Sequence, residues 1–150
     1  MSKFLLTLSP QNLAGQIASL INDGGQLRLH LSVHHILRSQ TEYIVELDGQ
    51  KVIGVIGLHK TSPRATELRH LCVRPEYRGR GLGRRLLEKG IENTRTEMVY
   101  GIVRRDNEVN VRNNLRVGMT PVAKVQNRLI VFARRKNVYK NRVQRGSQGH

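Results

Sequence analysis

The sequence is poor in the residues on which several classes of protein depend. It has one cysteine, Cys72, no tryptophan and only 4% aromatic residues. A single cysteine excludes a disulfide framework and a CxxC metal site, so no metal is expected. So few aromatics argue against a surface that stacks several nucleic-acid bases. No apolar run approaches the ~18 residues that a membrane helix needs. The apolar segment 4–8 is too short for a signal-peptide core. We therefore expect an aliphatic core, no membrane contact and a reducing, cytoplasmic setting.

The length of 150 residues predicts one domain followed by a tail. Residues 134–150 contain six Lys or Arg, no acidic residue and almost nothing apolar. Such a composition cannot bury enough apolar surface to order a chain. The expected boundaries are a domain at 1–134 and a basic, disordered tail at 135–150.

Positive charge is abundant and unevenly placed. The net charge is +15, from 26 basic and 11 acidic residues. Residues 1–60 have 5 basic and 4 acidic side chains, whereas residues 61–150 have 21 and 7. The second part of the chain is therefore expected to bind anions such as phosphates, a nucleic acid or an acidic surface. The alternative is a basic surface that only improves solubility.

Apolar spacing predicts the elements of the fold. An amphipathic helix is expected at 11–22, and 27–37 could be a helix or a strand. Strands at 43–47 and 51–58 form a hairpin whose turn signal is Asp48-Gly49, and the second strand is apolar on both faces. Residues 61–64 read as a loop. Further strands are expected at 67–73, 98–103 and 129–133, and helices at 83–91 and 107–117, the last ended by Gly118.

This order of elements indicates an α/β protein of α+β-like type. The helix at 83–91 connects two strands as a crossover, so those strands should be parallel. The hairpin is antiparallel. The expected result is a mixed, mostly antiparallel sheet with one parallel pair and helices on both faces.

The most informative stretch is the glycine-rich turn after the strand at 67–73. It contains Gly79, Gly81 and Gly83 among arginines, and an amphipathic helix follows. Glycines allow backbone N–H groups to approach an anion, and a helix start adds free donors. The turn therefore predicts a pyrophosphate cradle. It is not a Walker A loop, since no Gly-Lys-Ser/Thr follows, and it lacks the spacing of a dinucleotide fingerprint.

The motif Arg78-x-x-Gly81-x-Gly83, preceded by residues 71–77, resembles the coenzyme A loop of the GNAT superfamily of N-acetyltransferases. Residues 106–119 resemble a later motif of that superfamily, in which an Asn opens a helix that ends in Gly-Phe. Met119 stands where the Phe is usual. The resemblance covers about residues 42–134.

This resemblance implies a GNAT fold in which the parallel strands splay around a cleft for acetyl-CoA as cosubstrate. The implied cofactor-binding residues come from the strand, the glycine turn and the later motif: Leu71, Cys72, Val73, Arg78, Gly79, Arg80, Gly81, Leu82, Gly83, Arg84 and Asn107.

Acetyl transfer to an amine needs a group that accepts the proton of the amine. Glu67, at the start of its strand, is the first candidate base, and the alternative is an ordinary carboxylate paired with Arg69 or Arg64. His70 is a second candidate, although strand alternation predicts that it faces away from Glu67, Arg69 and Leu71. His59 could reach the same cleft. Cys72 reads as a small buried strand residue.

The acid that protonates the leaving thiolate is not apparent from the sequence. In the resembled family a Tyr is usual four residues before the Gly, and here that position is Asn114, which can only hydrogen-bond. Tyr100 is expected in the core and Tyr77 in the loop.

The expected function is therefore direct acetyl transfer from acetyl-CoA to an amine. The excess charge suggests that the acceptor is carried on or near a nucleic acid or the ribosome, bound by basic residues within 104–145. One alternative is a nucleic-acid-binding protein with little or no catalysis on a GNAT scaffold. Another is acetylation of protein lysines, protein N-termini or small amines.

Overall fold

The computed structural model describes residues 8–24 and 30–136. The described residues contain four α-helices, six strands and one 3-10 turn. They are α1 (Pro10–Asp23), α2 (Val33–Arg38), β1 (Glu42–Asp48), β2 (Lys51–Ser62), β3 (Ala65–Val73), a 3-10 turn (Pro75–Tyr77), α3 (Leu82–Asn93), β4 (Met98–Arg104), α4 (Glu108–Arg116), β5 (Thr120–Val125) and β6 (Leu129–Arg135).

The six strands form one mixed sheet in the order β1-β2-β3-β4-β6-β5. The β3 and β4 strands are parallel, and the other neighbouring pairs are antiparallel. The crossover that contains α3 therefore joins a parallel pair, as predicted. The β2 strand is buried from Val52 to Leu58, which confirms the prediction of an interior strand.

Helices cover both faces of the sheet. On one face, α1 packs Ile17, Leu20 and Ile21 with β2 residues. On the other, α3 packs Leu86, Leu87 and Ile91 onto β2, β3 and β4. The Ser9 side chain caps α1 and Pro10 occupies its first turn, where a missing N–H has no consequence.

Several sequence predictions differ from the structure in detail. The hairpin turn is Gly49-Gln50, because Asp48 still pairs with Lys51. Residues 61 and 62 belong to β2 and not to a loop. The ambiguous segment 27–37 is helical over Val33–Arg38, while residues 25–29 lie outside the described residues.

The β5 strand was missed because all its residues are exposed and no apolar alternation marks it. It forms only through pairing with β6. Arg135, which the sequence predicts to be part of the tail, pairs with Met98 in the sheet. The remainder of the tail, residues 137–150, lies outside the described residues.

The β3 and β4 strands pair only at one end. Their register runs from Ala65 opposite Met98 to Leu68 opposite Gly101, and no pairing follows. Beyond that point β3 continues to Val73 beside β2, and β4 continues to Arg104 beside β6. The parallel pair therefore splays into a cleft, as the resemblance implies.

A β-bulge in β3 lies where the two strands separate. Arg69 pairs with Gly57 but Cys72 pairs with Val55, so β3 has one residue more than β2 between these pairs. His70 lies in this bulge and has a left-handed backbone conformation, with φ of 58°. The bulge reverses the alternation: Leu71 packs on the α3 side and Cys72 on the α1 side.

Candidate active site: a cleft at the splayed strands

A cavity of about 630 Å³ opens where β3 leaves β4. Its walls are residues 71–73 of β3, the glycine turn, one side of α4 and the end of α1. The three glycines of the turn, Gly79, Gly81 and Gly83, all line it. The predicted coenzyme A residues Leu71, Cys72, Val73, Arg78, Leu82 and Asn107 also line this cavity.

The glycine turn presents backbone donors that nothing else uses. Across the described part of the chain, no backbone or side-chain acceptor receives the N–H groups of residues 79–84. Gly79 and Gly81 have φ of 78° and 79°, a conformation that side-chain-bearing residues rarely adopt, and a Cβ at either would meet open space. The Arg78 N–H is engaged with the Pro75 carbonyl at 3.3 Å. The free run therefore begins at Gly79, and it continues into the first turn of α3, where helices leave their donors free.

The three arginines of the turn have different contacts. The Arg78 Nε donates to the Val73 carbonyl at 3.0 Å, which ties the turn to the strand. The Arg80 guanidinium lies 5.3 Å from the centre of the Tyr77 ring. Arg84 forms an exposed ion pair with Glu88 at 3.6 Å. Arg78 lines the cavity, whereas the predicted residues Arg80 and Arg84 do not. The free amides and the helix N-terminus suit an anion, and Arg78 is the cation of the turn that lies beside them in the cleft.

The α4 helix supplies a wall that the sequence did not reveal. Val109, Arg112, Asn113 and Arg116 line the cleft, and their spacing places them on one helical side. Arg112 and Arg116 take part in no ion pair within residues 8–24 and 30–136. The signal that could have revealed this wall is the spacing of Val109, Arg112, Asn113 and Arg116 at i, i+3, i+4 and i+7, which puts two arginines on one side of the predicted helix.

Asn107 and Asn114 have mainly structural contacts. The Asn107 side chain caps α4 by accepting from the Asn110 N–H at 3.2 Å, while it also lines the cleft. Asn114 is only 2% exposed and donates to the Asn110 carbonyl and side chain. It does not line the cleft, so it orders α4 from within.

Cys72 lines the cleft but is buried. Burial raises the pKa of its thiol to about 11, although the Arg78 charge opposes the rise. A thiol with that pKa is protonated near neutral pH and is a poor nucleophile. The contacts agree with the interpretation of Cys72 as a packed strand residue.

Glu67 lies on β3 beside both neighbouring strands, opposite His59 and Tyr100. Its carboxylate accepts a 2.6 Å hydrogen bond from Arg69, as its ordinary structural role predicts. Tyr100 is not a core residue, contrary to the prediction, because it is half-buried and its hydroxyl donates to Thr61. His59 shares a 3.0 Å hydrogen bond with the Thr41 hydroxyl.

His70 faces the opposite side of β3 from the one on which Leu71 packs. Its ring stacks on Tyr43 at 6.1 Å and lines a second cavity together with Arg69. The prediction that His70 and Arg69 face apart is therefore wrong, because the bulge interrupts the alternation. Burial lowers the pKa of His70, and the Arg69 charge lowers it further. The imidazole is thus neutral near pH 7.

Two classes of feature are missing from the part of the chain that the structure describes. No group of three or more His, Cys, Asp or Glu side chains converges there as a metal site would require. None of the helices at 8–24 or 30–136 has the length and apolar character to cross a membrane.

Solved structures share this architecture. The yncA protein of Salmonella typhimurium, solved with its cofactor acetyl-CoA, has a TM-score of 0.73 and 16% identity, covering 85% of this chain and 91% of that one. An Elizabethkingia anophelis GNAT family acetyltransferase with acetyl-CoA bound has a TM-score of 0.58 and 13% identity, covering 65% and 78%. At these identities the likeness concerns the fold alone.

Sequence comparison adds the family. The chain is 38% identical over 69 residues to the N-alpha-acetyltransferase RimI of Mycobacterium tuberculosis, a stretch that spans 44% of this chain and 44% of that relative. The family model for the acetyltransferase (GNAT) family matches residues 13–118. The chain therefore belongs to the GNAT family, a family of acyltransferases whose cosubstrate is acetyl-CoA.

Proposed function

We propose that this protein is an N-acetyltransferase that moves an acetyl group directly from acetyl-CoA to an amine. The observation that carries the proposal is the run of unused N–H donors at residues 79–84, at the mouth of the cleft between the splayed strands. Six adjacent free amides beside a helix N-terminus are donors that a bound anion can accept in place of water.

The residues present fit acetyl-CoA. The amides of residues 79–84 suit a pyrophosphate, and a side chain at Gly81 would have to adopt a strained φ to present them. Arg78, Arg112 and Arg116 line the same cleft and suit the phosphate charges. Leu71 to Val73 and the α4 side suit the pantetheine arm. When bound, acetyl-CoA supplies an activated acetyl thioester.

The amine must lose a proton as it attacks. In the transfer, the amine nitrogen bonds to the acetyl carbon, the C–S bond breaks, and its electron pair leaves on sulfur. The amine proton passes to a base, for which Glu67 is the first candidate, directly or through a water. His70 is the second, because it lines a cavity beside the cleft and is neutral near pH 7.

Substitutions distinguish the roles of Glu67 and His70. Glu67→Gln is expected to lower kcat by about 10²–10⁴, because an amide cannot accept the proton of the amine. His70→Asn is expected to have the smaller effect. If His70→Asn has the larger effect on kcat, the two roles are reversed.

The leaving group needs no dedicated acid. A thiol has a pKa near 8.5, so its thiolate is a stable leaving group close to neutral pH. Asn114 is buried and donates within α4, which supports protonation by water.

The first experiment is calorimetric titration of acetyl-CoA into nucleic-acid-stripped protein and a Gly81→Glu variant. The carboxylate of the variant would compete for the free amides, so we expect binding to weaken by about 100-fold or more. Gly49→Glu is the matched control, because Gly49 also has a positive φ of 59°, has open space for a Cβ and lines neither cavity.

Micromolar binding that survives in the Gly49 variant and is lost in the Gly81 variant supports the proposal. Failure of the wild-type protein to bind acetyl-CoA would overturn it. Equal loss in both glycine variants would attribute the effect to charge or folding and not to the cradle.

A nucleic acid near the acceptor is a second element of the proposal. From Arg104 onward the chain has 12 basic and 2 acidic residues. Within the described part of that stretch the ion pairs comprise Arg104 with Asp106 alone. Of the nine cations at 104–136, five have neither an ion pair nor a side-chain hydrogen bond with another described residue and are available to phosphates: Arg112, Arg116, Lys124, Arg128 and Arg135. The similarity to RimI supports a protein N-terminus as the alternative acceptor.

Nucleic-acid binding is tested by titrating labelled RNA and DNA at increasing salt. Phosphate contacts predict affinity that falls linearly with log salt and little dependence on base sequence. Absence of binding at ~50 mM salt would remove this part of the proposal and leave the acetyl transfer intact.

A further inference from the structure

A second cavity of about 380 Å³ lies on the α1–α2 face of the sheet. Its walls are α2 with its flanking residues, the start of β1 and the bulge of β3. Half of the residues that line it are apolar or carry a hydroxyl group, namely Leu31, Ile36, Ser39, Thr41 and Tyr43.

The lining of this cavity is basic and contains no carboxylate. Five of its residues are basic: His34, His35, Arg38, Arg69 and His70. The carboxylate of Glu67 is already held by Arg69 through a 2.6 Å ion pair. A cationic ligand would find no free counter-charge in this cavity, whereas an anionic ligand would find two guanidinium groups.

Arg69 has donor capacity that the protein does not use. One terminal nitrogen donates to Glu67 and the Nε is enclosed by the protein, but the other terminal nitrogen has no hydrogen-bond partner among the described residues. The side chain is 30% exposed, so this second terminal nitrogen can be reached by a ligand. Arg38 is exposed at the end of α2, and no ion pair within the described ranges engages it. Both guanidinium groups can therefore receive an anion.

The two cavities are lined by consecutive segments of β3 on either side of its bulge. Residues 69 and 70 line the second cavity, and the next residues, Leu71 to Val73, line the cleft. A molecule held in the second cavity therefore lies next to the strand segment that would hold the acetyl end of the cosubstrate.

We propose that the second cavity binds the acceptor, and that the acceptor is an amine whose own anionic group, a carboxylate or a phosphate, is held by Arg38 and Arg69. This inference rests on the proposed function and names its substrate class. The anion fixes the acceptor at the guanidinium groups, and the amine points toward the cleft across the bulge.

Binding of acetylated products tests the inference without relying on turnover. N-acetylphenylalanine and its amide differ only in the carboxylate, and N-acetylethanolamine phosphate and N-acetylethanolamine differ only in the phosphate. Each is titrated calorimetrically into the free protein and into its complex with CoA. We expect the anionic member of at least one pair to bind about ten-fold tighter or more, and the pair with the larger ratio identifies the anion.

Variants locate the anion site. Arg38→Gln should bring the ratio of the two affinities close to one, and Arg69→Gln should do the same. Arg95→Gln is the matched control, since Arg95 is exposed and lines neither cavity, and it should keep the wild-type ratio. An unchanged ratio in Arg38→Gln and Arg69→Gln contradicts the site.

Equal affinities within both pairs, including no measurable binding of all four probes, would overturn the inference. Failure of CoA to bind in the same experiment would instead contradict the proposed function. The titration of the free protein still reports on the second cavity in that case.

Discussion

At the residue scale, burial decides which polar side chains can take part in chemistry. Asn114 occupies the position at which the resembled family commonly has a Tyr, yet it is 2% exposed and both of its observed bonds stay within α4. Cys72 lines the cleft, yet its raised pKa keeps it protonated. The resemblance places Asn114 where an acid is usual and Cys72 among the residues that contact the cofactor. In the structure Asn114 is packed within α4, whereas Cys72 lines the cleft with a protonated thiol.

Restoring the usual Tyr should therefore not help. Asn114→Tyr adds volume at a closed site and removes the bonds to Asn110, so we expect a loss of about 1–3 kcal/mol in the free energy of unfolding and no increase in kcat. Denaturant unfolding and steady-state assays measure the two effects. Asn93→Tyr is the control, because Asn93 is exposed at the end of α3, and it should change stability by less than about 0.5 kcal/mol. A gain in kcat with unchanged stability would contradict this prediction.

The thiol of Cys72 should react only slowly with alkylating reagents near neutral pH. With a pKa of about 11, alkylation by iodoacetamide should be slow at pH 7 and should accelerate continuously as the pH rises toward 11, because only the thiolate reacts. Cys72→Ala should keep acetyl transfer within about two-fold of wild type. Rapid alkylation at neutral pH, or loss of transfer in Cys72→Ala by two orders of magnitude, would instead indicate a covalent role.

At the element scale, close packing between helix and sheet fixes where small residues are required. A Cβ built on Gly54 of β2 would lie 2.8 Å from the Leu86 Cδ1 of α3, inside the core. A Cβ on Gly15 of α1 would lie 3.8 Å from the Val33 Cγ2, an ordinary contact. The same glycine-to-alanine change is therefore expected to have opposite effects in the two elements.

Gly54→Ala should lower the free energy of unfolding by about 1–3 kcal/mol, because the buried Leu86 side chain must shift to make room for the added methyl group. Gly15→Ala should raise it by about 0.5–1 kcal/mol, because alanine loses less backbone entropy in a helix. Urea unfolding of both variants and of the wild type measures the two changes in the free energy of unfolding. Stabilisation by Gly54→Ala would show that the interface between α3 and β2 has room for a methyl group at this position.

At the scale of the whole molecule, charge opposes compactness. A net charge of +15 on 150 residues causes repulsion between like charges. Folding increases this repulsion because it brings the charges closer together. The ion pairs among the described residues, such as Arg84 with Glu88 and Arg104 with Asp106, are mostly exposed and contribute little. Screening should therefore favour the folded protein.

We expect the Tm to rise by a few degrees between about 50 and 500 mM NaCl, because screening weakens repulsion between cations more than it weakens the few ion pairs. Thermal unfolding followed by circular dichroism measures this shift. A Tm that falls with salt would mean that attractive pairs outweigh the repulsion.

Some features of this protein followed from the sequence because they depend on neighbouring residues. Gly79, Gly81 and the helix after them predicted an anion cradle, since backbone freedom and a helix start are local properties. The crossover through α3 predicted the parallel pair β3 and β4 from chirality and chain order alone. These predictions located the cleft and one of its walls.

Other features were decided only by contacts between distant residues. The bulge at His70 lies where β3 leaves β4 while it continues to pair with β2, and it places His70 in the same cavity as Arg69. The β5 strand forms only because β6 supplies its hydrogen-bond partners. The burial of Asn114 likewise depends on where α4 lies against the sheet. Local pattern predicted where the chain turns, whereas pairing and packing decided which side chains meet.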